Sequence, residues 1–132
     1  MELIEFLNTK DCYAANAGAE LKEVRDGYAR AEMTVTDAHL NAGGVCQGGA
    51  LFTLADMALA AVTNSRGMLT FSVESNISFL KSAFSGDVLI AEAVEIQNHH
   101  KLPYCEVKIF NQHGELICVL TGIGYRKNRS LL

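Results

Sequence analysis

The stretch His39-Leu40-Asn41-Ala42-Gly43-Gly44-Val45-Cys46-Gln47-Gly48-Gly49-Ala50-Leu51-Phe52-Thr53-Leu54-Ala55-Asp56-Met57-Ala58-Leu59-Ala60-Ala61-Val62-Thr63-Asn64-Ser65 runs from a glycine-rich loop into an almost unbroken apolar segment. The segment predicts one strong helix over about 48–65. Its apolar residues cover every face, the mark of a helix buried on all sides. Arg66-Gly67 follows, a cation and then a permissive residue, as helix C-termini often have. Asp56 is the one charge between Gly48 and Arg66. An unpaired carboxylate inside such a helix costs several kcal/mol, on the order of the usual burial penalty. Its proton affinity is then set by its neighbours, as in a catalytic acid, base or nucleophile. The plainer reading is a carboxylate that faces a water-filled gap or caps nearby backbone.

On the N-terminal side of this helix, residues 1–18 look helical in part, with Leu3, Ile4, Phe6 and Leu7 able to form an apolar stripe. From Glu20 the pattern alternates, and Asp26-Gly27 between two alternating segments signals a hairpin. On the C-terminal side four strands are expected, over 69–81, 87–97, 104–110 and 116–126, the last two flanking the turn Asn111-Gln112-His113-Gly114. Short connections favour antiparallel neighbours. One helix after a hairpin, followed by four strands, suggests an α+β domain in which an antiparallel sheet curls around the helix.

The chain has 132 residues, 49% of them apolar, with one proline and neither repeats nor low-complexity linkers, so a single domain over 1–132 is expected. Its 11 basic and 15 acidic residues give a net charge of −4, which argues against nucleic acid as the main partner. The acidic start Met-Glu-Leu-Ile-Glu-Phe has no signal-peptide pattern, and the apolar run at 50–62 is shorter than the roughly 20 residues a membrane span needs. Cys12, Cys46, Cys105 and Cys118 form no C-x-x-C pair and no metal-like cluster, so a reducing cytoplasm and no metal are expected.

Gly48-Gly49 opens the helix. Free N–H groups in the first turn, with the helix dipole behind them, suit a carbonyl oxygen that becomes negative during reaction, and glycine lets a ligand approach closely. A simple tight turn is the plainer reading. Eight residues separate Gly48 from Asp56, about 12 Å along one helix at 1.5 Å per residue. Productive contacts are about 3 Å, so both cannot reach one carbonyl carbon. If both act, they come from different copies of the helix, and function at this site requires at least a dimer.

The segment from His39 to Asp56 resembles the signature of hotdog-fold acyl-CoA thioesterases of the phenylacetate-degradation (PaaI-like) type, approximately H-x-N-x-x-G-x-x-H-G-G followed by an apolar helix carrying Asp. The resemblance extends from about Ala19 to Arg126 in element order. It implies a five- or six-stranded antiparallel sheet wrapped around one long helix, two such units forming a homodimer with a continuous sheet, and dimers commonly pairing into homotetramers. It implies that Gly48 donates its N–H to the thioester carbonyl. Asp56 of the other subunit would activate or orient water, or attack as nucleophile. Asn41 would hold the substrate or the water, and Ser72 would occupy the strand position near the Asp where the family often has Ser or Thr. Gln47 stands where the family usually has His; it hydrogen-bonds a carbonyl or the loop but cannot shuttle a proton near neutral pH.

Gly49, Phe71 and His39 are expected beside the substrate, although His39 also reads as a loop brace. Lys81, His100 and Lys101 are candidate contacts to the phosphates of coenzyme A, as are Tyr125, Arg126, Lys127 and Arg129; each also reads as a solvated turn or strand end. Cys46 reads as a small buried residue rather than a nucleophile, which would need an activating base or cation. The leading expectation is hydrolysis of an acyl-CoA, aromatic or short- to medium-chain, with no cofactor beyond the coenzyme A of the substrate. A hotdog-fold acyl-thioester hydratase or dehydratase would pair a carboxylate with His near the helix start, where Gln47 stands. A non-catalytic acyl-CoA-binding module would have little reason to bury Asp56.

Overall fold

The computed structural model describes residues 1–132. Two short helices, α1 (Leu3–Lys10) and α2 (Cys12–Ala17), precede a hairpin of β1 (Glu20–Arg25) and β2 (Tyr28–Thr34). A 3₁₀ turn at Asp37–His39 and a loop lead into α3 (Gly48–Thr63). Then come β3 (Met68–Phe79), β4 (Val88–Gln97), β5 (Tyr104–Phe110) and β6 (Leu116–Ser130). All strands pair antiparallel in one six-stranded sheet of order β1-β2-β4-β5-β6-β3. The expected single long helix and curled antiparallel sheet are both present. What alternation did not reveal is the placement of β3, which crosses to the far edge and pairs only with β6.

Small residues in the middle strands make the trough that seats α3. On the inner face Ala29 stands opposite Ala93 and Ala31 opposite Ala91, and all four are fully buried. Gly122 of β6 goes further: a Cβ there would lie 2.8 Å from Leu59 Cδ2, so the helix rests on bare backbone. Leu54, Ala55, Ala58, Leu59, Ala61 and Val62 fill the trough with no exposed surface. The C-terminal end of α3 is tied to β3 by Asn64, whose amide donates to the Thr70 carbonyl (3.1 Å) and accepts from the Thr70 N–H (2.8 Å). Arg66 does not finish the helix as a dipole partner; it reaches across to Glu95 at 2.9 Å.

One expectation is corrected. α3 is not buried on all sides, because Gly49, Phe52, Thr53, Asp56 and Ala60 form a stripe that the sheet does not cover. Their spacing of four, three and four residues from 49 through 53 and 56 to 60 is one helical face. Apolar Phe and Ala on that face hid it from a reading by periodicity. α2 runs beside the stripe and covers part of it. At the opposite edge of the sheet, β3 exposes Phe71 (55%), Val73 (59%) and Phe79 (52%) along an unpaired strand edge. Long apolar edges of this kind invite pairing with another strand.

Because helix and sheet touch at Gly122, Gly122→Val is expected to force Leu59 out of its place and cost about 1–3 kcal/mol, the usual cost of overpacking. Thermal melting would show this as a drop of several degrees. An unchanged melting temperature would mean that the helix does not sit on the strand as described.

Candidate active site

The loop from Asn41 to Gln47 is folded by its own polar groups. Asn41 Oδ1 accepts the N–H groups of Gly43 (2.9 Å) and Val45 (3.3 Å), and the Asn41 N–H donates to the Val45 carbonyl (2.8 Å). Its side-chain amide nitrogen has no partner within the chain and remains free to donate. Gln47, extended at φ −65° and ψ 143°, is the residue before the first turn of α3. Its carbonyl accepts the N–H groups of Ala50 (3.0 Å) and Leu51 (3.3 Å). The Gly48 and Gly49 amides have no acceptor, as expected of a helix N-terminus. A Cβ on Gly48 would meet the Phe79 ring at 3.0 Å and push it aside by a few tenths of an ångström, and one on Gly49 would displace the flexible end of Gln47, whose Oε1 lies 2.8 Å away.

Gly48 opens onto a cleft of about 520 Å³ whose lining includes Asn41, Cys46, Leu51, Phe79 and Lys81. The cleft therefore joins three residues singled out in the sequence, Asn41, Gly48 and Lys81. Lys81 is not a free cation there, since its ammonium is paired with Glu115. Cys46 lies in the wall, and burial together with the charge of Asp87 pushes its thiol up, away from thiolate chemistry. Gln47 and Gly49 border a second groove with His39. His39 braces the loop: Nδ1 accepts the Thr36 N–H (2.9 Å), which leaves the proton on Nε2 to donate to the Ala17 carbonyl (2.7 Å).

Asp56 sits on the uncovered stripe of α3, and this corrects the expectation of a buried carboxylate. Its side chain reaches solvent, yet it has no hydrogen-bond or ion-pair partner. The groove around it, about 390 Å³, is walled by Asp11, which caps α2, by Tyr13 and Ala14 of α2 and by Phe52 and Thr53 of α3. Crowding by these groups removes part of the hydration of the carboxylate, and the charge of Asp11 adds to the effect. Together they raise the Asp56 carboxyl above the ordinary carboxylate range, desolvation being the larger cause. Asp11 and Tyr13 were missed in the sequence; the only signal was Asp11 at a helix start, where its carboxylate accepts the Ala14 N–H (3.2 Å).

The remaining candidates lie elsewhere. Ser72 and Phe71 are exposed at the start of β3, opposite Gly124 and Tyr125, and neither lines the Asp56 groove of the same chain. His100 and Lys101 are exposed in the β4–β5 loop, which is held to the end of β6 by the Arg126 N–H donating to the Lys101 carbonyl (2.7 Å). Lys101 and Lys127 both stand over the Tyr125 ring, at 5.9 and 5.6 Å. Arg126 bonds Asn98 and the His99 carbonyl, so it clamps the loop. No group of three or more His, Cys, Asp or Glu side chains stands close enough to hold a metal ion. No helix is long and apolar enough to cross a membrane.

Residues 43–118 match the model of the thioesterase superfamily. The acyl-coenzyme A thioesterase PaaI of Escherichia coli is 33% identical over 88% of this chain and 83% of its own length. Its structure superposes with a TM-score of 0.92 at 30% identity, covering 96% of this chain and 91% of that one. A protein of Archaeoglobus fulgidus, provisionally named an esterase, is 40% identical over 83% of this chain and 71% of its own. A hypothetical thioesterase protein of Streptococcus pneumoniae, solved with coenzyme A, is 28% identical with a TM-score of 0.81, covering 85% of this chain and 90% of that one. The same streptococcal protein has been solved with an aspartate replaced by alanine and, separately, with a threonine 16 positions further on replaced by alanine. The sheet wrapped around one helix is the hotdog fold of these proteins.

The raised carboxyl of Asp56 has a consequence for stability. An aspartate in the unfolded chain titrates near pH ~3.9. Since the folded value is higher, ionisation is less favourable in the folded state; the penalty is absent below the unfolded pKa and grows as pH rises towards the folded one. Asp56→Asn removes it. The melting temperature of the variant is expected to gain on wild type between pH 3 and pH 7. A constant difference across that range would show that Asp56 is not desolvated in the folded protein.

Proposed function

The chain belongs to the thioesterase superfamily and is an enzyme of its PaaI-like hotdog type; on that footing we propose that it hydrolyses an acyl-CoA, aromatic or short- to medium-chain, at a site shared between two subunits. The observation that carries this reading is the position of two groups on one rigid rod. Gly48 presents an amide without an acceptor to an open cleft, and Asp56 presents a carboxylate without a partner to a groove eight residues away. That is about 12 Å along the helix, too far for one reacting carbon to touch both. An antiparallel second copy of α3 brings the missing partner to each.

The open edge of β3 supplies the means of pairing. Joining β3 to its twofold mate continues the sheet from one subunit into the next and covers Phe71, Val73 and Phe79, which otherwise face water. Ser72 then lies on the strand at the junction. Its spacing of 16 residues from Asp56 equals the spacing of the aspartate and threonine replaced in the streptococcal protein. Pairing of dimers into a tetramer is part of the same reading.

The chemistry follows from these placements. The thioester carbonyl rests on the Gly48 N–H at the positive end of α3, with the Asn41 amide beside it. The partner subunit's Asp56 takes a proton from water as the oxygen attacks the carbonyl carbon, and the developing oxyanion is held at Gly48. Collapse expels the thiolate of coenzyme A, which recovers the proton from the carboxylic acid. A raised proton affinity makes this carboxylate a better base near neutral pH than an ordinary aspartate. Direct attack by the carboxylate, forming an anhydride that water then opens, uses the same placement. Gln47 borders the groove beside Gly49 as an amide and supplies no proton, so the steps above move the proton through Asp56 alone.

Thiol release from a panel of aromatic and aliphatic acyl-CoAs tests this. Wild type is expected to turn over at least one of them, and Asp56→Asn to lose a factor of about 100 or more, about 2.7 kcal/mol of transition-state stabilisation. Gly48→Pro deletes the N–H at a position whose backbone suits proline, a helix start after an extended residue, and Gly48→Ala, which brings the same Cβ against Phe79 but keeps the N–H, is the steric control. The proline variant is expected to lower kcat by about 10²–10³, the usual effect of losing one oxyanion donor. Full activity in Asp56→Asn or Gly48→Pro would remove that group from the mechanism, and a wild type inert on every acyl-CoA would overturn the assignment.

A further inference from the structure

The groove beside Asp56 has a second wall that the thioesterase reading leaves unassigned. It consists of α2, which lies outside the residues matched by the family model, since that match begins at Gly43. The wall is fastened at both ends. In α1, the Asn8 side chain makes two bonds to Leu21 of β1, accepting the N–H (2.8 Å) and donating to the carbonyl (3.1 Å). At the other end His39 Nε2 holds the Ala17 carbonyl, and between them Ala14 is buried against the core. None of these bonds involves Tyr13. Its ring is 77% exposed and its hydroxyl has no partner, so it contributes little to holding the wall.

Tyr13 nevertheless occupies a decisive position. It lines the 390 Å³ groove that contains Asp56 and also the adjoining groove of about 370 Å³ that runs towards His39 and Gln47. Tyr13 is thus the one large side chain common to two spaces that also share Gly49 and Thr53 of α3. The charges in the Asp56 groove, Asp11 and Asp56, are both negative. A pyrophosphate or nucleotide phosphate would be repelled there, whereas an uncharged chain would meet Phe52, Ala14 and the face of Tyr13.

We infer that α2 forms the fixed wall of the acyl-binding groove and that Tyr13 limits the length of acyl chain the groove accepts. The inference rests on the acyl-CoA reading and deepens it. With the ring in place, the chain ends against Tyr13. With the ring removed, the two grooves join, and additional methylenes meet Ala17, Ala38, Leu40 and Ala50 in the mixed lining of the second groove instead of water. His39 acts here as a positioning residue, because the bond from its Nε2 keeps the C-terminal end of α2, and so Tyr13, in register with α3.

Binding separates this inference from the assignment of the reaction. Isothermal titration with non-hydrolysable thioether analogues of acetyl-CoA and decanoyl-CoA would be made on wild type, Tyr13→Ala, Tyr13→Leu and Tyr13→Phe. Tyr13→Ala is expected to shift the affinity ratio towards the long chain by on the order of tenfold, as a few methylenes gain a pocket. Tyr13→Leu is expected to fall between, and Tyr13→Phe to keep the wild-type ratio. A ratio that stays within about twofold in Tyr13→Ala, or moves towards the short chain, would overturn the inference, as would failure of both analogues to bind. Turnover of the matching thioesters is scored separately: binding with the expected shift but no hydrolysis would sink the proposed reaction and leave the role of Tyr13 standing.

Discussion

A helix is a ruler, and here the ruler sets two groups about 12 Å apart that the proposed hydrolysis requires within a few ångströms of one atom. Gly48 offers its amide at the end of α3 and Asp56 its carboxylate two turns further along. No rotamer of Asp56 closes that distance, because the helix cannot bend while the sheet grips it along Leu54, Ala58, Leu59 and Val62. The rest of the architecture follows from this separation. The sheet leaves one face of α3 uncovered, and the strand edge at β3 leaves a second copy somewhere to attach.

The close seating of α3 also has an energetic logic. Alanine pairs in β2 and β4 and the bare backbone of Gly122 let the helix sink into the sheet, so that its inner face is fully dry. That burial can tolerate a destabilising group on the outer face. Asp56 is such a group: it is partly desolvated, it has no cation to meet it, and Asp11 stands near. Sites that hold a reactive group in an unfavourable setting depend on stability supplied elsewhere. The N-terminal helices crowd Asp56 in addition to flanking it, so the same wall that shapes the groove also shifts the carboxyl.

Much of this was legible in the chain. Alternation after Glu20 and the Asp26-Gly27 turn located the first hairpin, and the apolar run at 50–62 located α3. The motif from His39 to Asp56 located the helix start and its family. Three things were hidden, each for a physical reason. The open stripe of α3 was masked because Gly49, Phe52 and Ala60 look like core residues on a helical wheel. The place of β3 beyond β6 was hidden because alternation reports which face of a strand is buried but not its neighbour. Lys81 looked like a free cation because its partner Glu115 is 34 residues away, and the role of His39 was ambiguous because its acceptor, the Ala17 carbonyl, is backbone and carries no residue signature.

The sharing of one site by two subunits is tested most directly by mixing two inactive variants. Asp56→Asn keeps a working helix start, and Gly48→Pro keeps a working carboxylate. On the proposed shared site, co-expression or joint refolding gives mixed dimers with one intact site of two, Gly48 from one chain and Asp56 from the other. If mixing is random, about half of the dimers are mixed, and thiol release is expected to recover to about a quarter of wild type, while each variant alone stays near zero. A mixture no more active than its two components would place Gly48 and Asp56 in the same subunit's chemistry and contradict the shared site.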